Sequence, residues 1–182
     1  MKKFFLLFFL CSVAMYSVYS QSFIWTYDET KEYDIPLGKG IYDELSKGIF
    51  YSEMEEYYDA YVLNDTIIQQ LNQKLKEITT QNSIEIEIYF GAWCGDSKEH
   101  LPAFMKIVDA LSSISEKQIT LIGCDREKKA GHLDISEAQI EFVPTFIFSI
   151  DGTVIGKIIE TPTVSLEEDF LHVLQNFEKV KK

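Results

Sequence analysis

The alternation of apolar and polar positions predicts regular elements from about residue 65 onward. Apolar residues recur at helical spacing from Ile67 to Ile78, and Asn64 and Asp65 precede them as candidate caps. The next segment, Ile84–Phe90, alternates and then becomes wholly apolar, which is typical of a strand that enters a sheet interior. A second helical pattern begins near Ser97. This half of the chain therefore begins with helix, strand and helix.

The remaining pattern predicts a strand, a short helix, a hairpin and a closing helix. The dipeptide Asp151-Gly152 between two apolar runs is a strong hairpin signal. A strand-helix-strand crossover followed by an antiparallel hairpin predicts an α/β fold with a mixed sheet flanked by helices. The predicted elements are a strand at Gln118–Cys124, a helix at Leu133–Ile140, strands at Phe142–Ile150 and Thr153–Ile159, and a helix at Ser165–Val180.

The first twenty residues have the pattern of a signal peptide. Two lysines precede the apolar run Phe4–Leu10, which is shorter than the ~20 residues that a membrane-spanning helix needs. We expect cleavage after Ser20 and a periplasmic or secreted protein without a stable membrane span. Lipidation of Cys11 is disfavoured, because the residue before it is leucine rather than a small residue.

Residues 21–64 predict an N-terminal extension to a domain at 65–182. The stretch from Gln21 to about Tyr51 is aromatic, acidic and weakly periodic, so no regular structure is assigned to most of it. Ser52 and Glu55 resemble a capping box and predict a short helix that ends near Val62.

Charge and composition exclude several classes of function. Loss of the two lysines of the signal peptide takes the formal net charge from −12 to −14, which disfavours nucleic acid and anionic lipid as partners. His100 and His132 are too scattered to form a metal site with Cys94. No glycine-rich phosphate loop is present. We therefore predict neither a metal nor another cofactor.

Cysteine chemistry is the strongest functional signal. Export leaves Cys94 and Cys124, and Cys94 lies where a strand passes into a helix. Unpaired N–H groups at a helix start favour a thiolate there, whereas the carboxylate of Asp96 opposes it. Ser97 stands one helical turn on, where a dithiol enzyme carries its second cysteine. Its hydroxyl can donate a hydrogen bond to the thiolate but cannot close a disulfide.

Three functions fit this pattern. The first is thiol–disulfide exchange of an oxidoreductase or isomerase-like kind, in which an external thiol resolves mixed disulfides at Cys94. The second is a binding module for extended peptides without turnover. In the third, Cys94 pairs with Cys124, because both follow parallel strands that end at one sheet edge. A small apolar core residue is the commoner role for a cysteine placed like Cys124.

Two motifs resemble the thioredoxin family over roughly residues 65–180. Gly91–Lys98 reads Gly-Ala-Trp-Cys-Gly-Asp-Ser-Lys and is similar to the family's active-site segment, with Pro102 at the position of its helix-kinking proline. Phe142–Phe146 resembles the cis-proline loop. The resemblance is closest to a bacterial subgroup that carries Cys-Gly-Asp-Ser and an aspartate-arginine-like segment, here Asp125-Arg126.

The resemblance implies a thioredoxin fold in which a cis Pro144 faces Cys94. It also implies that Trp93, Val143 and Thr145 contact the substrate, the backbone groups of Val143 and Thr145 by pairing with a substrate strand. Implied partners are protein thiols or disulfides, with a small-molecule thiol or a partner reductase as a further reactant.

Two further positions, Ile88 and Arg126, bear on the reactivity of Cys94. Ile88 stands where many thioredoxins carry a buried acid, and the neighbouring Glu87 should point to the opposite side of the strand. Arg126 would favour the thiolate if it lay near Cys94, although an ion-paired or solvated arginine is the commoner case.

Overall fold

The computed structural model describes residues 22–180 of the 182-residue chain. The predicted signal peptide at residues 1–20 lies outside the described residues. Within residues 22–180, no helix is both long and apolar enough to cross a membrane. The strands are β1 Ile24–Asp28, β2 Tyr33–Gly40, β3 Ile84–Phe90, β4 Ile119–Gly123, β5 Thr145–Ile150 and β6 Thr153–Ile159, and the helices are α1 Tyr51–Ala60, α2 Asp65–Thr79, α3 Gly95–Asp109 and α4 Leu166–Val180.

The strands form one mixed sheet in the order β1-β2-β4-β3-β5-β6. Only β3 and β4 pair in parallel, and the other neighbours are antiparallel. The parallel pair places the carboxyl ends of β3 and β4 at the same edge of the sheet. Because β3 also pairs with β5, the start of β5 reaches this edge as well. The predicted fold class, a mixed sheet flanked by helices, is confirmed.

The two faces of the sheet are covered differently. Buried residues of all four helices join one apolar core with Ile86 and Ile88 of β3, and Phe104 packs its ring against other rings of this core. The opposite face carries a smaller cluster that includes Tyr89 and Ile122. The connection between β4 and β5, rather than a helix, packs against this second cluster.

Residues 22–51, to most of which the sequence pattern assigns no regular structure, contain β1 and β2. Pro36 and two glycines interrupt the pattern of β2, and these residue types ordinarily indicate turns. Ile35 and Leu37 of β2 nevertheless enter the main core, and the strand lies very close to β4: a Cβ on Gly123 would stand 2.1 Å from the Pro36 carbonyl oxygen. The short alternation is hidden by Pro36 and the glycines, and close backbone packing leaves no sequence pattern of its own.

Two local predictions are corrected. The short helix is α1, but Phe50 precedes it without a side-chain cap, and the Ser52 hydroxyl donates to the Ile49 carbonyl instead. The capping box is therefore absent. The predicted helix at Leu133–Ile140 is a single 3-10 turn at Ser136–Ala138, which ends at Gln139 in the left-handed conformation (φ 51°).

The predicted hairpin between residues 142 and 159 forms with its turn at Asp151-Gly152. Both turn residues have positive φ, 49° and 74°, which matches the twist that a two-residue hairpin loop requires. The first strand begins at Thr145 rather than at Phe142, because the preceding residues form the loop described below.

Candidate active site

Cys94 occupies the N-cap position of α3, four residues after β3 ends. Its extended backbone (φ −91°, ψ 130°) turns the chain from strand into helix, and its N–H donates to the Gly91 carbonyl at 2.9 Å. Its own carbonyl accepts the N–H of Lys98 at 3.2 Å. Cys94 is half-buried and carries no disulfide. The thiol therefore lies beside the open N–H groups of the first helical turn.

The loop before β5 brings Val143 and Pro144 to this thiol. The peptide bond between them is cis. Cys94 Sγ lies 3.2 Å from the Val143 carbonyl oxygen, to which the thiol donates. The two segments meet because Tyr89, near the end of β3, pairs with Thr145 at the start of β5. Sheet register thus brings the two separate sequence motifs into contact.

Trp93 is fixed beside Cys94 by contacts on several sides. Its Nε1–H donates to the Cys124 carbonyl at 2.9 Å. The Arg126 guanidinium lies 5.0 Å from the ring centroid and the Lys128 ammonium 5.8 Å from it. Arg126 also pairs with the Asp28 carboxylate at 3.4 Å. The arginine is therefore ion-paired and stacked on the indole.

Ser97 departs from the role expected for it. The side chain is 1% exposed, and its oxygen accepts a hydrogen bond from the Gly91 N–H at 3.1 Å. The hydroxyl makes no hydrogen bond to Cys94 Sγ. In this arrangement Ser97 joins the start of α3 to the end of β3, and it does not stabilise the thiolate by the expected contact.

Cys124 faces the same side of the sheet as the site but is enclosed. It is fully buried in the apolar cluster that also includes Val143, and Cys94 packs against this cluster. Its thiol donates to the Ile122 carbonyl at 3.6 Å. Burial first, and then the negative charge of Asp125, raise the pKa of the Cys124 thiol to about 12. In this conformation Cys124 is a poor candidate for a resolving thiol.

The backbones of Val143 and Thr145 are both expected to pair with a substrate strand. Val143 lies in the loop before β5, whereas Thr145 is the first residue of β5. Thr145 lies within β5, where Tyr89 and Ile159 pair with it from the two sides. Its hydroxyl donates to the Phe142 carbonyl at 2.7 Å. The backbone of Thr145 is therefore engaged within the sheet in this structure and its side chain shapes the loop, while a contact between Thr145 and a substrate stays a prediction.

Ile88 and Glu87 of β3 point to opposite faces of the sheet, and Glu87 shares the face of Tyr89 and the smaller cluster. Ile88 is fully buried in the main core, and Glu87 lies on the other face, as strand alternation requires. There the carboxylate accepts a hydrogen bond from the Tyr89 hydroxyl at 3.1 Å, and burial together with Glu87 raises the pKa of Tyr89. Within residues 22–180, no group of three or more His, Cys, Asp or Glu side chains could hold a metal ion.

Several contacts to the site come from residues that sequence reasoning missed. The Tyr33 hydroxyl donates to the Ala92 carbonyl at 2.9 Å. Lys98, whose side chain is only 9% exposed, forms a short ion pair with Glu53 of α1. These contacts join residues that are 59 and 45 positions apart. No local sequence pattern indicates them.

Similarity to known proteins is found in the part of the chain that follows the N-terminal extension. The family model described as Thioredoxin matches residues 66–171, from the start of α2 into α4. The chain belongs to the thioredoxin family. The matched residues include both the Cys94 segment and the loop at Pro144.

Individual thioredoxins match between 48% and 59% of the chain. Mitochondrial thioredoxin-3 of Saccharomyces cerevisiae is 27% identical over 96 residues, 52% of this chain and 69% of the relative. The crystal structure of that protein in its oxidised form is 25% identical, covers 48% of this chain and 76% of its own, and has a TM-score of 0.32. Thioredoxin f2 of Chlamydomonas reinhardtii is 17% identical over 59% of this chain and 91% of its own, with a TM-score of 0.39.

We predict that Cys94 and Cys124, the two cysteines of residues 21–182 of this thioredoxin-family protein, differ sharply in alkylation. At pH 8, a pKa of about 12 leaves roughly one Cys124 thiol in 10,000 deprotonated, and burial excludes the reagent besides. Mass spectrometry after brief treatment with iodoacetamide should show label on Cys94 alone in the folded chain and on both cysteines in urea. Equal labelling of both cysteines in the folded chain would contradict the buried position of Cys124.

Proposed function

We propose that this protein carries out thiol–disulfide exchange through Cys94 alone and that an external thiol resolves the mixed disulfides it forms. The observation that carries the proposal is the environment of the Cys94 thiol. It stands half-buried at a helix start against the loop at Val143, while Ser97 takes the usual place of a second cysteine and Cys124 is enclosed.

The reaction proceeds in two balanced steps. The Cys94 thiolate first attacks one sulfur of a partner disulfide, so that a bond from Sγ to that sulfur forms and the other partner sulfur leaves as a thiolate. An external thiolate then attacks the partner sulfur of the mixed disulfide. This second step returns the Cys94 thiolate and forms a disulfide between the external thiol and the partner. Both steps conserve electrons, and no further oxidant is needed.

The external thiol is either a small molecule or a cysteine of another protein. Ser97 has no sulfur, and the Cys124 thiol would have to leave its apolar cluster to reach the mixed disulfide. A second cysteine of the substrate can also attack the mixed disulfide at Cys94. The result is a new disulfide within the substrate, so the same chemistry includes disulfide isomerisation.

The binding geometry suits an extended segment of a protein partner. The Val143 carbonyl already accepts the hydrogen bond of the Cys94 thiol, so a partner strand at this point would lie directly over the reacting sulfur. Trp93 and the 48% exposed Phe142 border this position and offer apolar surface to the residues beside the partner cysteine. Protein thiols and disulfides are therefore the proposed partners.

We expect Cys94→Ser to abolish exchange and Cys124→Ala to retain most of it, because only Cys94 is placed to attack. The measurement follows release of a thiol from a disulfide-bonded fluorescent peptide, with glutathione as the external thiol and circular dichroism as the check of folding. Cys124→Ala is the matched control, since it removes the other thiol of residues 21–182.

Two outcomes would contradict the proposal. Loss of exchange in a folded Cys124→Ala variant would favour a dithiol enzyme that pairs the two cysteines. A chain that binds the peptide without forming a covalent adduct at Cys94 would favour a binding module.

We further propose that the protein is exported and belongs to a thioredoxin subgroup marked by Trp-Cys-Gly-Asp-Ser, here residues 93–97. Support for export comes from the lysines and the apolar run of residues 1–20. Fractionation of cells that produce the full chain should recover it in the envelope or the medium, with an N-terminus at or near Gln21. Recovery of the full-length chain in the cytoplasm would contradict export.

A further inference from the structure

Residues 22–61 contact the segment that carries Cys94 at three separate places. The contacts come from β1, from β2 and from α1, and they end on residues 92–98 either directly or through one intervening side chain. The same stretch contains side chains that project into solvent, such as Tyr27 at 59% and Ile49 at 71% exposure. It also buries side chains in the main core, such as Leu45 and Met54, and the three contacts to residues 92–98 are additional to that packing.

Tyr33 provides the first contact. Its ring packs on Phe50 with centroids 5.8 Å apart, and its hydroxyl donates to the Ala92 carbonyl at 2.9 Å. Ala92 is only 2% exposed and lies two residues before Cys94. Burial raises the pKa of Tyr33, so the hydroxyl keeps its proton and remains a donor at neutral pH. This bond fixes the backbone of the turn that ends at the thiol.

Asp28 provides the second contact and acts through Arg126. The backbone N–H groups of Thr30 and Lys31 donate to the Asp28 carboxylate at 2.9 and 2.8 Å, so the carboxylate is held in one orientation. Its side chain is 8% exposed and pairs with Arg126 Nε at 3.4 Å. The guanidinium in turn covers the Trp93 ring. Asp28 therefore sets the position of the indole next to Cys94.

Glu53 provides the third contact, on the helix side of the thiol. It forms the ion pair with Lys98, whose backbone N–H donates to the Cys94 carbonyl. The acid comes from α1 and the lysine from the first turns of α3. The pair therefore joins α1 to the start of the helix that presents the thiol.

We propose that residues 22–61 are part of the active site, in which Tyr33, Asp28 and Glu53 are positioning residues for Cys94. The inference rests on the proposed exchange function and assigns a role to the N-terminal segment. None of the three touches the reacting sulfur. They hold the Ala92–Trp93 turn and the start of α3, and reaction rates depend steeply on such alignment.

The test compares three conservative variants with matched controls from the β1–β2 hairpin and from α1. The variants remove the hydrogen bond or the charge of each positioning residue, and the controls make the same chemical change at an exposed position. The pairs are Tyr33→Phe with Tyr27→Phe, Asp28→Asn with Asp34→Asn, and Glu53→Gln with Glu56→Gln.

Two readouts are needed. The first is exchange with the disulfide peptide, which we expect to fall about tenfold in each positioning variant. This is less than the ~100-fold that a 1 Å misplacement of a reacting group can cost, because each variant removes only one of several contacts. The second is hydrogen exchange by NMR at the Trp93 indole and the Cys94 amide, which does not depend on catalysis. We expect faster exchange at one or both of these sites and unchanged protection in β5.

A double variant separates positioning from general stability. Because Asp28 acts through Arg126, Asp28→Asn should add no further loss of activity in an Arg126→Gln background. Equal losses in the two backgrounds would contradict this route.

The two proposals fail in different ways. Positioning variants that match their controls in peptide exchange and in local hydrogen exchange would overturn the inference. A different pair of results would overturn the proposed function and leave the positioning role supported. In that case the unmodified chain performs no exchange, but the positioning variants still lose protection at the Trp93 indole or the Cys94 amide.

Discussion

The contact between Cys94 Sγ and the Val143 carbonyl, at 3.2 Å, is the interaction around which the site is organised. It joins the two sequence segments that resemble the thioredoxin family, and it exists because β3 and β5 are neighbours in the sheet. A shift of one residue in that pairing would turn the side chains of β5 to the other face and move the loop away from the thiol. The chemistry of Cys94 therefore depends on sheet register as much as on the motif itself.

The unequal covering of the sheet explains why one thiol is available and the other is enclosed. All four helices contribute to the core on one face, whereas the opposite face is covered by the connection after β4. Cys124 lies under that connection, and Trp93 is hydrogen-bonded to its backbone. The buried cysteine thus helps to place the tryptophan without offering its own sulfur.

Sequence patterns predicted most of the fold from residue 65 onward, because its helices and strands bury regular apolar faces. The strand-to-helix junction indicated Cys94, whereas the loop at Pro144 followed from the resemblance to the thioredoxin family, because the apolar pattern alone placed residues 142–144 in a strand. Sequence patterns did not predict β2, where Pro36 and two glycines interrupt the alternation of Ile35 and Leu37, and close backbone packing at Gly123 leaves no pattern. The roles of Tyr33 and Ser97 were equally inaccessible, because each depends on which backbone group the fold brings to its hydroxyl.

Residues 22–61 add contacts to the site that lie outside the region matched by the family model. The family model begins at residue 66, yet β2 extends the sheet beside β4 and Tyr33 bonds to the turn before Cys94. The site thus combines the family's motifs with contacts from outside the matched region. Neither part alone accounts for the position of Trp93.

The lifetime of the mixed disulfide at Cys94 distinguishes single-cysteine exchange from dithiol chemistry. Intact-protein mass spectrometry can follow the chain from Gln21 onward after reaction with a disulfide peptide. We expect one peptide adduct on Cys94 that persists until glutathione is added and then disappears. Loss of the adduct without added thiol, together with a disulfide between Cys94 and Cys124, would contradict the single-cysteine mechanism.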